Sequence, residues 1–174
     1  MPEHDDHLAI APLFEAHMQA ELDGDLERTM ANMGPNPHLN HVPVRAGGFG
    51  ASDVRAFYDG HLVGRFFPPD VEIVGISRTA DDHQLVDEMI IRFTHTQMLD
   101  WMLPGIAPTG RFVQIPLVAI VRVDNGLVTH EHIYWDQASV LTQVGLLDPS
   151  GLPVTGADQA DQLEFPSKVY RTTY

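Results

Sequence analysis

The stretch from Asp124 to Pro149, DNGLVTHEHIYWDQASVLTQVGLLDP, contains a turn, an extended strand and a short amphipathic helix in succession. The strand carries four polar groups at spacing two: His130, His132, Tyr134 and Asp136. Because side chains of a strand alternate between its faces, these four groups are predicted to project from the same side. We expect this polar side to line a cavity.

The opposite side of the strand is mixed in character and gives no plain hydrophobic surface; it carries Leu127, Thr129, Glu131, Ile133 and Trp135. We expect it to form a subunit contact. A simpler alternative is a half-exposed strand whose histidines face solvent. Asp136 precedes a helix, so it also has a structural interpretation as an N-cap, and the two roles can coexist.

Composition narrows the class of protein. The chain has 174 residues, which suits one domain, and no cysteine, so any chemistry must use histidine, carboxylates or hydroxyls. Its 24 acidic and 10 basic residues give a formal charge of -14, which disfavours a nucleic acid partner. No apolar run is long enough to cross a membrane, and the acidic N-terminus does not resemble a signal peptide, so we expect a cytoplasmic protein.

The first third of the chain has helical periodicity. Helices are predicted from Ala11 to Leu22, then after a possible cap at Asp25, and again after a cap at Ser52. The proline-rich segment 34–41 is interpreted as ending helical structure, and the glycine-rich segment 46–50 as a bend.

From Asp70 the periodicity changes to two, which predicts four strands within segments 71–79, 84–96, 111–123 and 126–136. Hairpin turns are expected at 80–82 and 124–126, and a longer connection, 98–110, separates the middle strands. A closing helix is predicted from Ser139 to Leu147, with 148–174 as an irregular extension. Helices packed on one curved antiparallel sheet are the simplest architecture.

This order of elements, with PTGR at 108–111, DNGLV at 124–128 and the run YWDQASVLTQVGLL, resembles SnoaL-like polyketide cyclases of the NTF2-like superfamily. The resemblance implies an α+β cone, with about three N-terminal helices, a strongly curved antiparallel sheet and a short C-terminal helix, spanning residues 1–174 as a single domain. It further implies an apolar pocket, no cofactor, and a homodimer formed through the sheet.

The resemblance also implies an aspartate general acid/base in the final strand, and the matching position is Asp136. We expect His132 to act as its partner. The residues predicted to line the pocket are His130, Tyr134, His41, Glu88, His95, Tyr58 and Trp101. His17, His38 and His83 are assigned to structure or surface. Epoxide hydrolysis is less favoured, because Arg92 is not followed by the aspartate of an Arg-x-Asp pair.

The function expected is a cofactor-independent cyclase, isomerase or lyase acting on a small apolar oxygenated molecule. The alternatives are a ligand-binding or accessory domain without turnover, and a structural dimerisation module. A metal held by His130 and His132, with Asp136, Glu88 or His95 as the third ligand, is a further alternative.

Overall fold

A computed structural model of the protein describes residues 7–62 and 65–166. These residues form a mixed α+β structure with five α-helices, one π-helical turn and one six-stranded sheet. The helices are α1 (His7–Leu22), α2 (Leu26–Ala31), α3 (Ala51–Phe57), α4 (Gln137–Gln143) and α5 (Asp158–Glu164), and the π-helical turn is Tyr58–Leu62. The strands are β1 (Met33–His41), β2 (Ala46–Phe49), β3 (Glu72–Ala80), β4 (Gln84–Thr94), β5 (Phe112–Asp124) and β6 (Leu127–Trp135).

The sheet has the strand order β2-β1-β6-β5-β4-β3. All neighbouring pairs are antiparallel except β1 and β6, which are parallel. The expectation of a wholly antiparallel sheet is therefore wrong in one pair. A parallel pair cannot be closed by a hairpin, and the chain between β1 and β6 includes α3 and all the other strands.

Strand β1 is the largest departure from the sequence prediction, because the proline-rich segment was interpreted only as an interruption. It pairs with β6 at Met33 and again from His38 to His41, with a shift of register between these points. Pro35 and Pro37 lie within that shift, where the absence of an N–H removes no ladder bond. Long-range pairing therefore outweighs the local preference for a loop.

The glycine-rich segment also forms a short strand, β2, instead of the predicted bend. A side chain at Gly47 would place its Cβ 2.1 Å from the carbonyl oxygen of Leu39, so only glycine allows β2 to lie this close to β1. Helix α3 follows Gly50, which has φ 85° and provides no side-chain cap. The predicted cap at Ser52 is therefore wrong, since this residue lies inside the helix.

The remaining elements largely match the predictions. Asp25 caps α2 by accepting a hydrogen bond from the backbone N–H of Arg28 at 3.0 Å, and β3 to β6 pair in sequence order. The extension after residue 148 is less irregular than predicted, because it contains α5. That helix packs against β5 and its Glu164 pairs with Arg92. Residues 167–174 of the predicted extension lie outside the described residues.

The two faces of the sheet have different environments. We call the side that packs against α1 and α3 the inner face, and the opposite side the outer face. The connection between β4 and β5 adds four buried side chains to the core on the inner face: Leu99, Trp101, Met102 and Leu103. Among the described residues, no helix is both long and apolar enough to span a membrane.

Candidate functional site

Strand β6 alternates as predicted, but the cavity-facing side is the opposite one. Glu131, Ile133 and Trp135 are buried on the inner face, whereas His132 is half-buried and Tyr134 is 41% exposed on the outer face. Burial of the large apolar side chains selects the face of a strand that turns inward. The expectation that His130, His132 and Tyr134 point into a shared cavity is therefore wrong.

The outer-face histidines contact one another. His132 Nε2 lies 2.9 Å from His38 Nδ1, and the rings of His130 and His132 stack with their centroids 4.2 Å apart. Burial, followed by nearby positive charge, lowers the pKa of both His130 and His132. These contacts join β1 to β6 on the side away from the core.

The other candidates for a histidine metal site lie elsewhere. Glu88 accepts a hydrogen bond from Ser77 Oγ at 2.7 Å on the outer face, and His95 is buried beyond the end of β4 with Nδ1 3.2 Å from Thr109 Oγ1. The structure does not bring either residue to His130 in a group with metal-ligand spacing among its described residues.

Asp136 is the N-cap of α4. Its Oδ1 accepts from the backbone N–H groups of Ala138 and Ser139 at 2.9 and 3.3 Å, and its Oδ2 accepts from Ser139 Oγ at 2.7 Å and Gln159 Nε2 at 2.5 Å. Burial opposes ionisation, but these hydrogen bonds outweigh it and lower the pKa of Asp136. The capping role is present in the structure, while a catalytic role for Asp136 and His132 stays a prediction.

The inner face contains a cluster of ionisable groups that the sequence prediction did not assemble. This polar cluster consists of His17, Glu21, Tyr58 and Glu131, all between 0% and 5% exposed. His17 Nε2 lies 3.3 Å from Glu21 Oε1 and 3.5 Å from Glu131 Oε2. Tyr58 Oη donates to Glu21 Oε1 at 2.5 Å and lies 3.5 Å from Glu131 Oε2.

Three elements bring the polar cluster together. His17 and Glu21 lie one turn apart on α1, so both side chains project from the same face of that helix. Tyr58 is the first residue of the π-helical turn, a local distortion that is frequent at functional sites. Glu131 comes from the middle of β6, next to Leu39 of β1 in the sheet register.

The electrostatics of the polar cluster favour a charged imidazole. Burial alone would lower the pKa of His17, but the charge of Glu21 and hydrogen bonds to Glu131 and Glu21 outweigh it and raise the pKa to about 10. Burial and the same two carboxylates raise the pKa of Tyr58 well above its usual value, so its hydroxyl keeps its proton. The cluster thus contains a positive imidazolium between two acidic side chains.

His17, Glu21 and Glu131 are close enough to one another to offer ligands to a cation. Two observations favour protons over a metal ion at this place. The Tyr58 hydroxyl already occupies Glu21 with a short hydrogen bond, and His17 Nδ1 has no hydrogen-bond partner among the described residues, whereas metal-binding histidines are usually oriented through their second nitrogen. We therefore treat these residues as a proton-sharing cluster.

A narrow cavity adjoins the polar cluster. It encloses about 30 Å³, room for little more than one water molecule. Most of its wall is aliphatic and aromatic, and among the described lining residues Glu131 and His41 are the titratable ones. Trp101 forms part of the wall, is buried, and donates from Nε1 to the carbonyl of Phe66 at 2.8 Å, so its side chain is fixed.

His41 is buried and neutral. Burial lowers its pKa to about 4, although the charge of Glu131 and a hydrogen bond with the carbonyl of Ala46 oppose this shift. Its ring lies between aromatic side chains, with centroids 5.3 Å from Trp101 and 5.6 Å from Phe57. The histidine is therefore a polar group held in an otherwise apolar wall.

A larger groove of about 620 Å³ runs between α1 and β3. The groove and the cavity share four side chains, Phe14, Met18, Ile73 and Met89. Methionine side chains are flexible and adapt to irregular spaces. Met18 and Met89 are therefore the adaptable side chains among those that the cavity and the groove share.

Of the residues predicted to line a pocket, His41 and Trp101 line the cavity and Tyr58 belongs to the polar cluster. The prediction missed His17, Glu21 and Glu131 as site residues. Their signal was present in the sequence as polar side chains at positions that share a face with large apolar ones. In α1, His17 and Glu21 are four residues apart and lie within the apolar stripe of the helix.

Comparison with known proteins gives matches in structure only. No sequence-family model matches the chain, and no curated protein matches it in sequence. TsrD from Streptomyces laurentii is 19% identical with a TM-score of 0.61, and the match covers 83% of this chain and 100% of that chain. A protein from Jannaschia sp. CCS1, provisionally named a SnoaL-like polyketide cyclase, is 15% identical with a TM-score of 0.64, covering 85% and 99%.

A Δ5-3-ketosteroid isomerase from Mycobacterium sp. is also similar, at 18% identity and a TM-score of 0.53, with 74% of this chain and 93% of that chain covered. These matches confirm the resemblance at the level of three-dimensional structure. The chain therefore has the NTF2-like fold, which it shares with SnoaL-like and ketosteroid isomerase proteins.

Proposed function

We propose that this protein is an enzyme of the cyclase or isomerase type that moves a proton on a small apolar oxygenated molecule, with Glu131 as the general acid/base. The observation that carries the proposal is the position of Glu131, which belongs to the buried polar cluster and also lines the apolar cavity. Ionisable groups that are buried together beside a cavity are characteristic of sites for proton transfer.

The surroundings of Glu131 suit a base. Its Oε2 lies 3.5 Å from both His17 Nε2 and Tyr58 Oη, and its side chain lines the apolar cavity. Because the single Tyr58 proton is donated to Glu21, the imidazolium of His17 is the donor nearest to Oε2, and we expect the Glu131 carboxylate to exchange a proton with a ligand at the cavity wall.

The reaction requires only groups that the chain provides. Glu131 takes a proton from a carbon between or beside carbonyl groups, and the electron pair of the broken C–H bond becomes an enolate. In an isomerisation the enolate is conjugated with a C=C bond, and the same proton returns to the far carbon of this dienolate, so that the C=C bond changes position. In a cyclisation the enolate carbon attacks a second carbonyl of the same molecule, a C–C bond forms, and Glu131 returns the proton to the new alkoxide.

A ligand would reach the cavity through the groove between α1 and β3. The cavity is too small for an organic substrate, but among the described residues it shares four lining side chains with the much larger groove. A ligand that displaces Met18 and Met89 would reach Glu131 while its remaining surface stays against apolar side chains.

The proposal is tested with ethyl 2-methylacetoacetate, a β-keto ester with one exchangeable hydrogen between its carbonyl groups. Exchange of that hydrogen in D₂O is followed by NMR with catalytic amounts of protein. We expect the native protein to accelerate exchange and Glu131→Gln to lose roughly 10²-fold or more of that rate. Asp136→Asn is the matched control, because asparagine keeps the helix cap.

Two results would refute the assignment of Glu131: full activity of Glu131→Gln, or loss of activity in Asp136→Asn with Glu131→Gln unaffected. A native protein that binds the keto ester without accelerating exchange would instead favour the alternative of a ligand-binding domain without turnover.

A further inference from the structure

The groove between α1 and β3 combines apolar walls with one positive charge. The apolar side chains include Phe14, Met18, Ile73 and Met89, which the groove shares with the cavity. Among the described lining residues of the groove, Arg78 is the one cationic side chain, and it does not line the cavity. The groove therefore offers a charged anchor away from the cavity and an apolar path towards it.

A β-bulge in β3 places Arg78 on the inner face of the sheet. The register of β3 and β4 shifts between Gly75 and Ser77, so Ile76 is an extra residue. Without it, alternation would continue from Gly75 to Ser77 on the inner face, and Arg78 would turn outward. The bulge instead sets Arg78 opposite Asp87, which is buried on the inner face. Bulges beside functional sites often redirect a side chain in this way.

The two carboxylates that bind Arg78 are held very differently. Asp87 accepts from Nε and Nη2 of Arg78 at 3.0 and 2.7 Å, and its side chain is only 12% exposed. Glu15 accepts from Nη1 alone at 2.8 Å, and its side chain is 65% exposed. A bidentate, largely buried pair is strong, whereas a single contact to a solvated side chain contributes little to stability. Glu15 can therefore be exchanged for another carboxylate at small cost.

We propose that Arg78 binds the carboxylate of an apolar acid, which takes the place of Glu15, while the body of the acid lies along the groove. The exchange keeps the charge around Arg78 balanced, because one carboxylate replaces another. Space is available beside Arg78, since a Cβ added at Gly75 would meet no atom within 4 Å. The apolar walls then bury the rest of the ligand.

The inference rests on the proposed function and narrows its substrate class. In the register of the sheet, Arg78 lies opposite Asp87, and Asp87 lies opposite Ala119. Ala119 in turn lies opposite Ile133, which is two residues from Glu131. Three strand spacings and one two-residue step put the Cα atoms of Arg78 and Glu131 about 16 Å apart along a flat sheet. The substrate would thus carry its carboxylate several carbon atoms away from the carbon that loses a proton.

Three probes with the same chain of eight carbons test the inference on the native protein. Octanoate, octanamide and octylammonium differ only in the charge of the head group. Their dissociation constants are measured by NMR titration at pH 7 and constant ionic strength. We expect octanoate to bind about tenfold more tightly than octanamide, because its hydrogen bonds to Arg78 are charge-assisted, and octylammonium to bind most weakly.

Variants then assign the preference to Arg78. Glu15→Gln should tighten octanoate binding several-fold, because it removes the competing carboxylate and a like charge, and it should leave octanamide unchanged. A double variant, Arg78→Gln with Asp87→Asn, removes both charges without leaving a buried carboxylate unpaired, and it should lose the preference for octanoate. Arg122→Gln is the matched control, since Arg122 is paired with Asp124 on the outer face. It should keep the preference.

Equal affinity for octanoate and octanamide, a preference for octylammonium, or no binding of octanoate at millimolar concentration would overturn the inference. Weaker binding of octanoate to Glu15→Gln would do the same, and an unchanged preference in the folded double variant would overturn the role of Arg78. A failure of the proposed function is read separately. The titrations measure binding alone, whereas the exchange assay measures proton transfer in a keto ester that has no carboxylate.

Discussion

His17 Nε2 lies 3.5 Å from Glu131 Oε2, and both side chains are buried. This contact connects the middle of α1 to the middle of β6 through charge. Buried ion pairs pay a large desolvation cost, so they are weak evidence for stability alone. Their position beside a cavity makes a chemical role the better explanation here.

Removing the imidazole of His17 should destabilise the folded protein. We expect His17→Leu to lower the free energy of unfolding by about 3–5 kcal/mol, since it leaves two acidic side chains buried without their positive partner. In a Glu21→Gln, Glu131→Gln background the same substitution should cost much less. Urea unfolding of the four proteins measures the difference, and equal costs in both backgrounds would show that His17 contributes through packing alone.

Stability should fall on the alkaline side of neutrality. The pKa of His17 is raised from 6.5 to about 10 in the folded protein, so its contribution is fully present below pH 6.5 and is lost as the pH rises through 10. Urea unfolding at pH 7, 8.5 and 9.5 should show a decline in the native protein. The variant with His17→Leu, Glu21→Gln and Glu131→Gln provides the control, and a decline of equal size there would contradict this interpretation.

The buried, neutral His41 should make the stability of the protein fall as the solution becomes acidic. Its pKa is lowered from 6.5 to about 4, so the unfolded chain binds more protons between these values and stability falls as the pH decreases from 6.5 towards 4. His95, His130 and His132 also have lowered pKa values and act in the same direction. His41→Phe should therefore reduce this slope without abolishing it, and an unchanged slope would argue against a neutral, buried His41.

Met18 should control access to the cavity. It lies between the cavity and the groove and is half-buried. We expect Met18→Ala to tighten binding of ethyl 2-methylacetoacetate by several-fold, because a ligand no longer has to displace the Met18 side chain, and to lower the free energy of unfolding by about 1–3 kcal/mol. Weaker binding in a folded Met18→Ala protein would indicate that the ligand reaches the cavity by another route.

Sequence periodicity predicted most of the helices and strands. It failed where the structure of a segment depends on pairing with residues far away in the sequence. The four strands from β3 to β6 follow from alternation and turn signals, and α1 and α2 from helical spacing. Strand β1 could not be predicted from local preference, because its prolines favour a loop and only pairing with β6 makes it extended. Homodimerisation through the sheet stays a prediction.

Packing between distant elements also explains why the face of β6 that lines the cavity is not the predicted one. Alternation in β6 was predicted correctly, but the face with His130, His132, Tyr134 and Asp136 was expected to line a cavity. Ile133 and Trp135 decide the orientation instead, and they carry Glu131 with them into the core. His17 could be placed on the buried stripe of α1, yet its contact with Glu131 depends on how α1 packs on the sheet.

The most direct test of this account compares neighbouring residues on opposite faces of the same strand. Rates of α-hydrogen exchange of ethyl 2-methylacetoacetate are measured for Glu131→Gln and for His132→Gln under identical conditions. The account predicts that Glu131→Gln loses about 10²-fold or more of the catalysed rate while His132→Gln stays close to the native protein. A loss confined to His132→Gln would place the chemistry on the outer face and contradict it.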